Sequence, residues 1–166
     1  LGQGRLGGVP VPVVIAAVVV LLGWFAFTKT PFGRYVVGLG SNQESLRRTG
    51  VNTRVVGMTV FVMSSLAASV AGILVAARLA SGSSNAGVGF ELEVITAVVL
   101  GGTSLLGGRG TMLGTVLGAL VLGVIANGLV LSHVSPFYVQ IVQGAILLLA
   151  IFVNTRLFTR FGSVMR

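Results

Sequence analysis

The chain has 166 residues, of which 54% are hydrophobic and 8% charged, with 11 Lys+Arg against three acids and a net charge of +8. A soluble domain carries about 25% charged residues, so the soluble globular, disordered and nucleic-acid-binding classes are excluded together. With no cysteine, one His and three acids, there is almost no material for a disulfide, a metal site or a catalytic dyad, and none of these, nor any cofactor, is expected.

The chain opens on a Gly-rich stretch, Leu1 to Gly8, without an initiator Met or the features of a signal peptide. It reads as a fragment whose N-terminal part is absent. Between Arg5 and Lys29 lie 23 uncharged residues, and the apolar block 9–28 is long enough for a membrane span of about 20 residues. Pro10 and Pro12 fall in its first turn, where a missing N–H costs little. Another 23 uncharged residues, 55–77, form a second span between Arg54 and Arg78. From Gly110 to Thr155 there are 46, and the polar interruption at 132–136 divides them into spans 111–131 and 137–153. The fold class is all-α: a polytopic membrane helix bundle, read as a single transmembrane domain, with four spans and one short one.

The short one is 94–108, expected as a helix shielded from lipid by its neighbours. Its 15 uncharged residues reach about 22 Å at 1.5 Å each, less than the hydrocarbon thickness. It could span, re-enter or lie buried, and charge arbitrates. With five crossings, nine cations (Lys29, Arg34, Arg47, Arg48, Arg54, Arg109, Arg156, Arg160 and Arg166) share one side and two, Arg5 and Arg78, the other. With four crossings the count is five against six. The positive-inside rule selects five, with 29–54 and the C-terminal tail cytoplasmic and 79–90 and 132–136 external. Gly110, Gly114 and Gly118 recur every fourth residue, which serves either close helix packing or the lining of a path.

The loop 29–54 is the most informative segment. Ser41-Asn42-Gln43-Glu44 fits the capping-box pattern, with Arg47 and Arg48 in the last turn and Gly50 at the C′ position. A short helix 42–49 is predicted. Helices of that length are marginal alone in water, so this one either docks on a partner or rests on lipid phosphates. Its polar side chains, Asn42, Gln43, Glu44, Arg47 and Arg48, would face the partner, with Leu46 as a single apolar anchor.

The Gly-rich stretch 101–111 has the G-x-x-x-x-G spacing of a phosphate loop, but Gly108 stands where Lys is required. It reads as a tight helix–helix turn, and nucleotide hydrolysis is not expected of this chain. Glu91 and Glu93 start the short segment, where acids gain from a helix dipole. His133, between Ser132 and Ser135, reads as a solvated loop residue. Asn127, Gln140 and Gln143 lie within spans, where they either hydrogen-bond between helices or line a path for a hydroxylated solute. Asn85 and Glu91 join Asn127 and Gln140 as candidate path or packing residues.

Several of these segments carry a resemblance that covers nearly the whole chain. Thr30-Pro31-Phe32-Gly33-Arg34-Tyr35, Gly40-Ser41-Asn42 through Arg48-Thr49-Gly50-Val51-Asn52, and Asn85 to Ile95 leading into Val99-Leu100-Gly101-Gly102-Thr103-Ser104 and Gly107-Gly108-Arg109-Gly110-Thr111 together resemble the C-terminal half of sugar-importing ABC permeases. The group is that of ribose, xylose, rhamnose and autoinducer-2. The resemblance implies a multi-pass subunit of the bacterial inner membrane that pairs with a second permease and with cytoplasmic ABC ATPases. It also implies an extracytoplasmic sugar-binding protein as the source of substrate. Helix 42–49 then resembles the coupling helix that seats on the ATPase. Two other classes compete. An intramembrane enzyme would need paired acids or a Ser–His arrangement within the spans, which the sequence lacks. A small pore-forming or scaffold protein is the alternative if the 166 residues are complete.

Overall fold

The computed structural model describes residues 4–6, 8–82 and 85–162, so residues 83–84 in the expected external loop and Arg166 of the charge count lie outside the described residues. Among the described residues, four helical stretches are long and apolar enough to cross a membrane: Val11–Lys29, Thr53–Leu79, Met112–Leu131 and Phe137–Asn154. The protein is thus a polytopic helical membrane protein. The chain falls into two compact units, Leu1–Val88 and Gly89–Arg166.

In the first unit, a two-residue strand pair, Arg5–Leu6 (β1) with Val9–Pro10 (β2), precedes helix α1, Val11–Lys29. No residue of α1 is buried, and Leu21, Leu22 and Phe25 stand well exposed. A helix apolar on all sides has lipid as its solvent. Proline ends it. Pro31 has no N–H to donate and forces the preceding residue out of the helical region, and Thr30 is extended at φ −111°, ψ 158°.

Pro31 then nucleates a helix absent from the sequence reading, α2, Pro31–Ser41. Glycines at 33, 38 and 40 depress helix propensity and concealed it. Two of them are contact positions: a Cβ at Gly33 would overlap the carbonyl oxygen of Phe27, and one at Gly38 would stand 3.3 Å from Leu46 Cδ1. Helix α3, Gln43–Arg48, follows, and then α4, Thr53–Leu79, which Asn52 caps by accepting from the N–H groups of Arg54 (3.2 Å) and Val55 (3.4 Å). Helix α2 packs on α1, α3 and α4.

The second unit holds α5 (Phe90–Leu100), α6 (Met112–Leu131) and α7 (Pro136–Gly162), all in mutual contact. The segment expected as a helix over 94–108 is helical only to Leu100, and 101–111 is irregular. Gly102, at φ +82°, takes the left-handed conformation that turns the chain out of the helix. Eleven residues reach about 16 Å, roughly half the hydrocarbon core. The core of the unit forms where α5 meets its neighbours: Thr96, Ala97, Val99, Leu122 and Val139 are buried, with Thr96 at 1% exposure. Shielding of α5 is one-sided, since Leu92, Val94 and Ile95 remain exposed.

The glycine stripe is also amended. Gly110 lies before α6, leaving Gly114 and Gly118 on the helix, and both are packing positions. His133 is exposed at φ +59° in the α6–α7 turn.

Candidate functional site

Two groups of residues are candidates, one in each unit. The first is α3. Its N-cap is Asn42, not Ser41: the Asn42 side-chain oxygen accepts from Ser45 N–H at 3.0 Å. An N-cap needs extended backbone, which Asn42 has at φ −159°, ψ 100°. Ser41 is the last helical residue of α2 and donates its hydroxyl to the Val37 carbonyl (3.0 Å). The capping box predicted from Ser41 and Glu44 is therefore not formed, because α2 runs into the position it required. Glu44 instead accepts from Arg48 Nε at 3.4 Å, one turn on. This exposed pair is worth about 0.3–0.5 kcal/mol.

The C-terminal signals hold. Gly50 N–H donates to the Arg47 carbonyl (3.1 Å), and Gly50 sits at φ +83°, where a Cβ is strained. Asn42, Gln43, Glu44, Arg47, Arg48 and Gly50 are all exposed. Leu46 is not. Expected as the anchor of a partner contact, it is half-buried and packs back on Gly38 of α2. With further contacts to α4, the six-residue α3 is seated on two helices.

The second group surrounds the turn after α5. Beta carbons at Gly101 and Gly114 would each overlap backbone of the other's residue, and one at Gly118 would overlap the Ala97 carbonyl oxygen. Backbone thus meets backbone between α5 and α6, the contact that small residues permit in lipid. The loop beyond closes on itself: Ser104 N–H donates to the Arg109 carbonyl (2.9 Å) and Gly107 N–H to the Ser104 carbonyl (3.1 Å).

From α7, the Asn154 amide donates to the Thr103 carbonyl at 3.1 Å, tying residues 51 apart. Asn154 was not singled out in the sequence. Its only signal is an amide at the end of an apolar run. Thr96, fully buried in α5, satisfies itself by donating to the Leu92 carbonyl (2.6 Å).

The candidate path residues lie on different elements. Glu91 is exposed in the first turn of α5, and Gln140 is exposed on α7. The Gln140 amide nitrogen comes within 4.0 Å of where a Gly89 Cβ would stand, so it borders the start of α5. Asn127 is exposed on α6, and Asn85 is exposed in the turn before α5, its carbonyl accepting from Gly87 N–H at 2.9 Å.

Residues 3–151 match the family described as the permease component of the branched-chain amino acid transport system. The ribose import permease protein of Escherichia coli K12 is 46% identical over 155 residues, covering 93% of this chain and 48% of that protein. A probable ABC transporter permease protein of the same strain is 45% identical over 163 residues, 98% of this chain and 49% of that one. The xylose transport system permease protein of Haemophilus influenzae is 40% identical over 148 residues, 89% of this chain and 40% of its own length. The chain spans about half the length of the curated relatives it matches. No solved structure matches it significantly.

Proposed function

This chain belongs to the permease family of branched-chain amino acid transport systems, and from that premise we propose that it forms part of the translocation path of an ATP-driven sugar importer. The observation that carries the choice of solute is the 46% identity to a ribose import permease over 93% of the chain. A relative named for xylose supports a pentose-type sugar over the amino acids of the family's description. The working assembly then contains a second permease subunit, cytoplasmic ABC ATPases and an extracytoplasmic sugar-binding protein, in a bacterial inner membrane. No chemistry falls to this chain; ATP hydrolysis belongs to the partner.

In this reading α3 is the coupling helix. Its exposed Gln43, Glu44, Arg47 and Arg48 meet the ATPase, and Leu46 passes the displacement to α2 through Gly38. One apolar residue, already engaged within the chain, is too little for interfacial insertion, which requires an apolar face. Helix α5 with the irregular 101–111 is a crossing completed by non-helical backbone, which membranes accept only against protein or water. Gln140, Glu91, Asn127 and Asn85 supply hydrogen-bonding groups for sugar hydroxyls.

Two measurements test this. Uptake of labelled ribose and xylose is followed in cells lacking the permease and in cells complemented with it; equal uptake in both sinks the transport reading. Glu44→Lys in the whole subunit should leave membrane insertion intact, abolish uptake and reduce ATPase recovery on purification. Unchanged uptake and recovery would remove the coupling role. Leu46→Asp is a less selective probe, since it also breaks the α2–α3 contact.

A further inference from the structure

The join between α1 and α2 carries charge that α3 does not use. Residues 1–88 contain seven Lys or Arg and a single acid, Glu44, and that acid is engaged by Arg48. Lys29 and Arg34 flank the break at Thr30-Pro31 and have no anionic partner among the described residues. Lys29 lies 5.9 Å from the ring centroid of Trp24, and Tyr35 is exposed beside Arg34. Helix α1 is about 28 Å long, so Lys29 at its end falls at the edge of a hydrocarbon core of about 30 Å. Trp and Tyr concentrate at that depth.

The first turn of α2 adds a donor. Thr30, at its N-cap position, makes no side-chain cap bond, because its hydroxyl donates backwards to the Ala26 carbonyl at 2.5 Å. Pro31 has no N–H and Gly33 is buried against the Phe27 carbonyl, so of the first turn the Phe32 N–H, at the positive end of the helix dipole, remains for an external acceptor. A guanidinium offers a fork that matches two phosphate oxygens, and an ammonium a third contact.

We propose that Lys29, Arg34 and the start of α2 form a headgroup site for an anionic phospholipid, flanked by Trp24 and Tyr35. The occupant is a lipid because the site stands at the end of a membrane span between interfacial aromatics. The inference requires only that α1 crosses the membrane, and not that α3 couples to an ATPase.

The test places the whole permease complex in symmetric nanodiscs of phosphatidylcholine doped with phosphatidylglycerol and counts retained lipids by mass spectrometry. The variants are Lys29→Gln with Arg34→Gln, the charge-keeping pair Lys29→Arg with Arg34→Lys, and Arg78→Gln at the far end of α4. Apparent affinity for phosphatidylglycerol should fall about fivefold for each charge removed at the site. It should persist in the charge-keeping pair and in Arg78→Gln, and added inorganic phosphate should not displace the lipid. Equal loss in Arg78→Gln would reduce the effect to bulk charge and overturn the site. Displacement by phosphate would make it a free-anion site. Unchanged lipid binding in the Gln pair with loss of ATPase recovery would assign the cations to the ATPase and also overturn it. Glu44→Lys should spare lipid binding whatever it does to coupling, which keeps the two readings separable.

Discussion

Helices α3 and α5 are both too short to stand alone, yet they are held in opposite ways. The six residues of α3 have no buried member, and the helix is defined by its ends: Asn42 on the first turn, Gly50 after the last, Glu44 and Arg47–Arg48 complementing the dipole. The eleven residues of α5 have no side-chain N-cap, and the helix is defined by its flank, where Ala97 and Gly101 meet Gly118 and Gly114 with no side chain between. End chemistry leaves α3 exposed apart from Leu46, as the coupling role proposed for it requires. Backbone contact leaves α5 no room for a side chain at its seam with α6.

The largest effect is expected where the backbone seam is filled. Gly118→Ala places a methyl group on the Ala97 carbonyl oxygen, with the Gly101 nitrogen 2.9 Å away, and backbone cannot rotate aside as a side chain can. Overpacking of this kind costs about 1–3 kcal/mol. Gly123→Ala, five residues along the same helix, meets nothing within 4 Å and should be neutral or stabilising by about 0.5–1 kcal/mol. Thermal unfolding of the detergent-purified subunit compares the two. Equal midpoints would mean that α5 is not held by the seam, and the contrast with α3 would collapse.

The tie from α7 comes next. Asn154→Ala leaves the Thr103 carbonyl without its donor in a part-buried setting. Measured interhelical hydrogen bonds in membranes average about 0.6 kcal/mol, and an orphaned buried acceptor costs about 1–3 kcal/mol. A loss of about 1 kcal/mol is therefore expected, with hydrogen exchange accelerated over 101–111 and unaltered over 42–50. Exchange unchanged in the loop would show that the turn holds itself through its Ser104–Arg109 and Ser104–Gly107 bonds.

These contrasts explain what the sequence could and could not disclose. Long uncharged runs set α1, α4, α6 and the apolar part of α7 to within a few residues, because lipid demands length and hydrophobicity and little else. Resemblance reached the family. Helix α2 was hidden because Gly33 and Gly38 act through close contacts, which oppose their propensity and become visible only with the partner backbone in place. The end of α5 at Leu100 was missed for a related reason: an uncharged run does not reveal where Gly101-Gly102 will leave the helix. Asn154 lay in plain view as a polar residue, but its partner is a carbonyl 51 positions away, and no local pattern encodes that.

The smallest effect separates two caps one residue apart, and it decides how α3 begins. Ser41 and Asn42 are both good N-cap residues, so composition does not choose between them. What chooses is α2, whose hydrogen-bonded turns continue through Ser41 and leave its hydroxyl on the Val37 carbonyl, while Asn42 N–H still donates to the Gly38 carbonyl at 3.0 Å. Asn42 is thus the first residue free to turn extended and present its oxygen to Ser45 N–H. Asn42→Ala should loosen α3 by about 1 kcal/mol, whereas Ser41→Ala should stay within about 0.5 kcal/mol. Both residues are exposed, and α3 has no buried member, so global unfolding would hardly register either change. Amide exchange confined to 43–49 is the measurement that resolves them. Faster exchange there for Asn42→Ala alone supports the end-capped helix; faster exchange for Ser41→Ala alone would restore the capping box and move the start of α3 back by one residue.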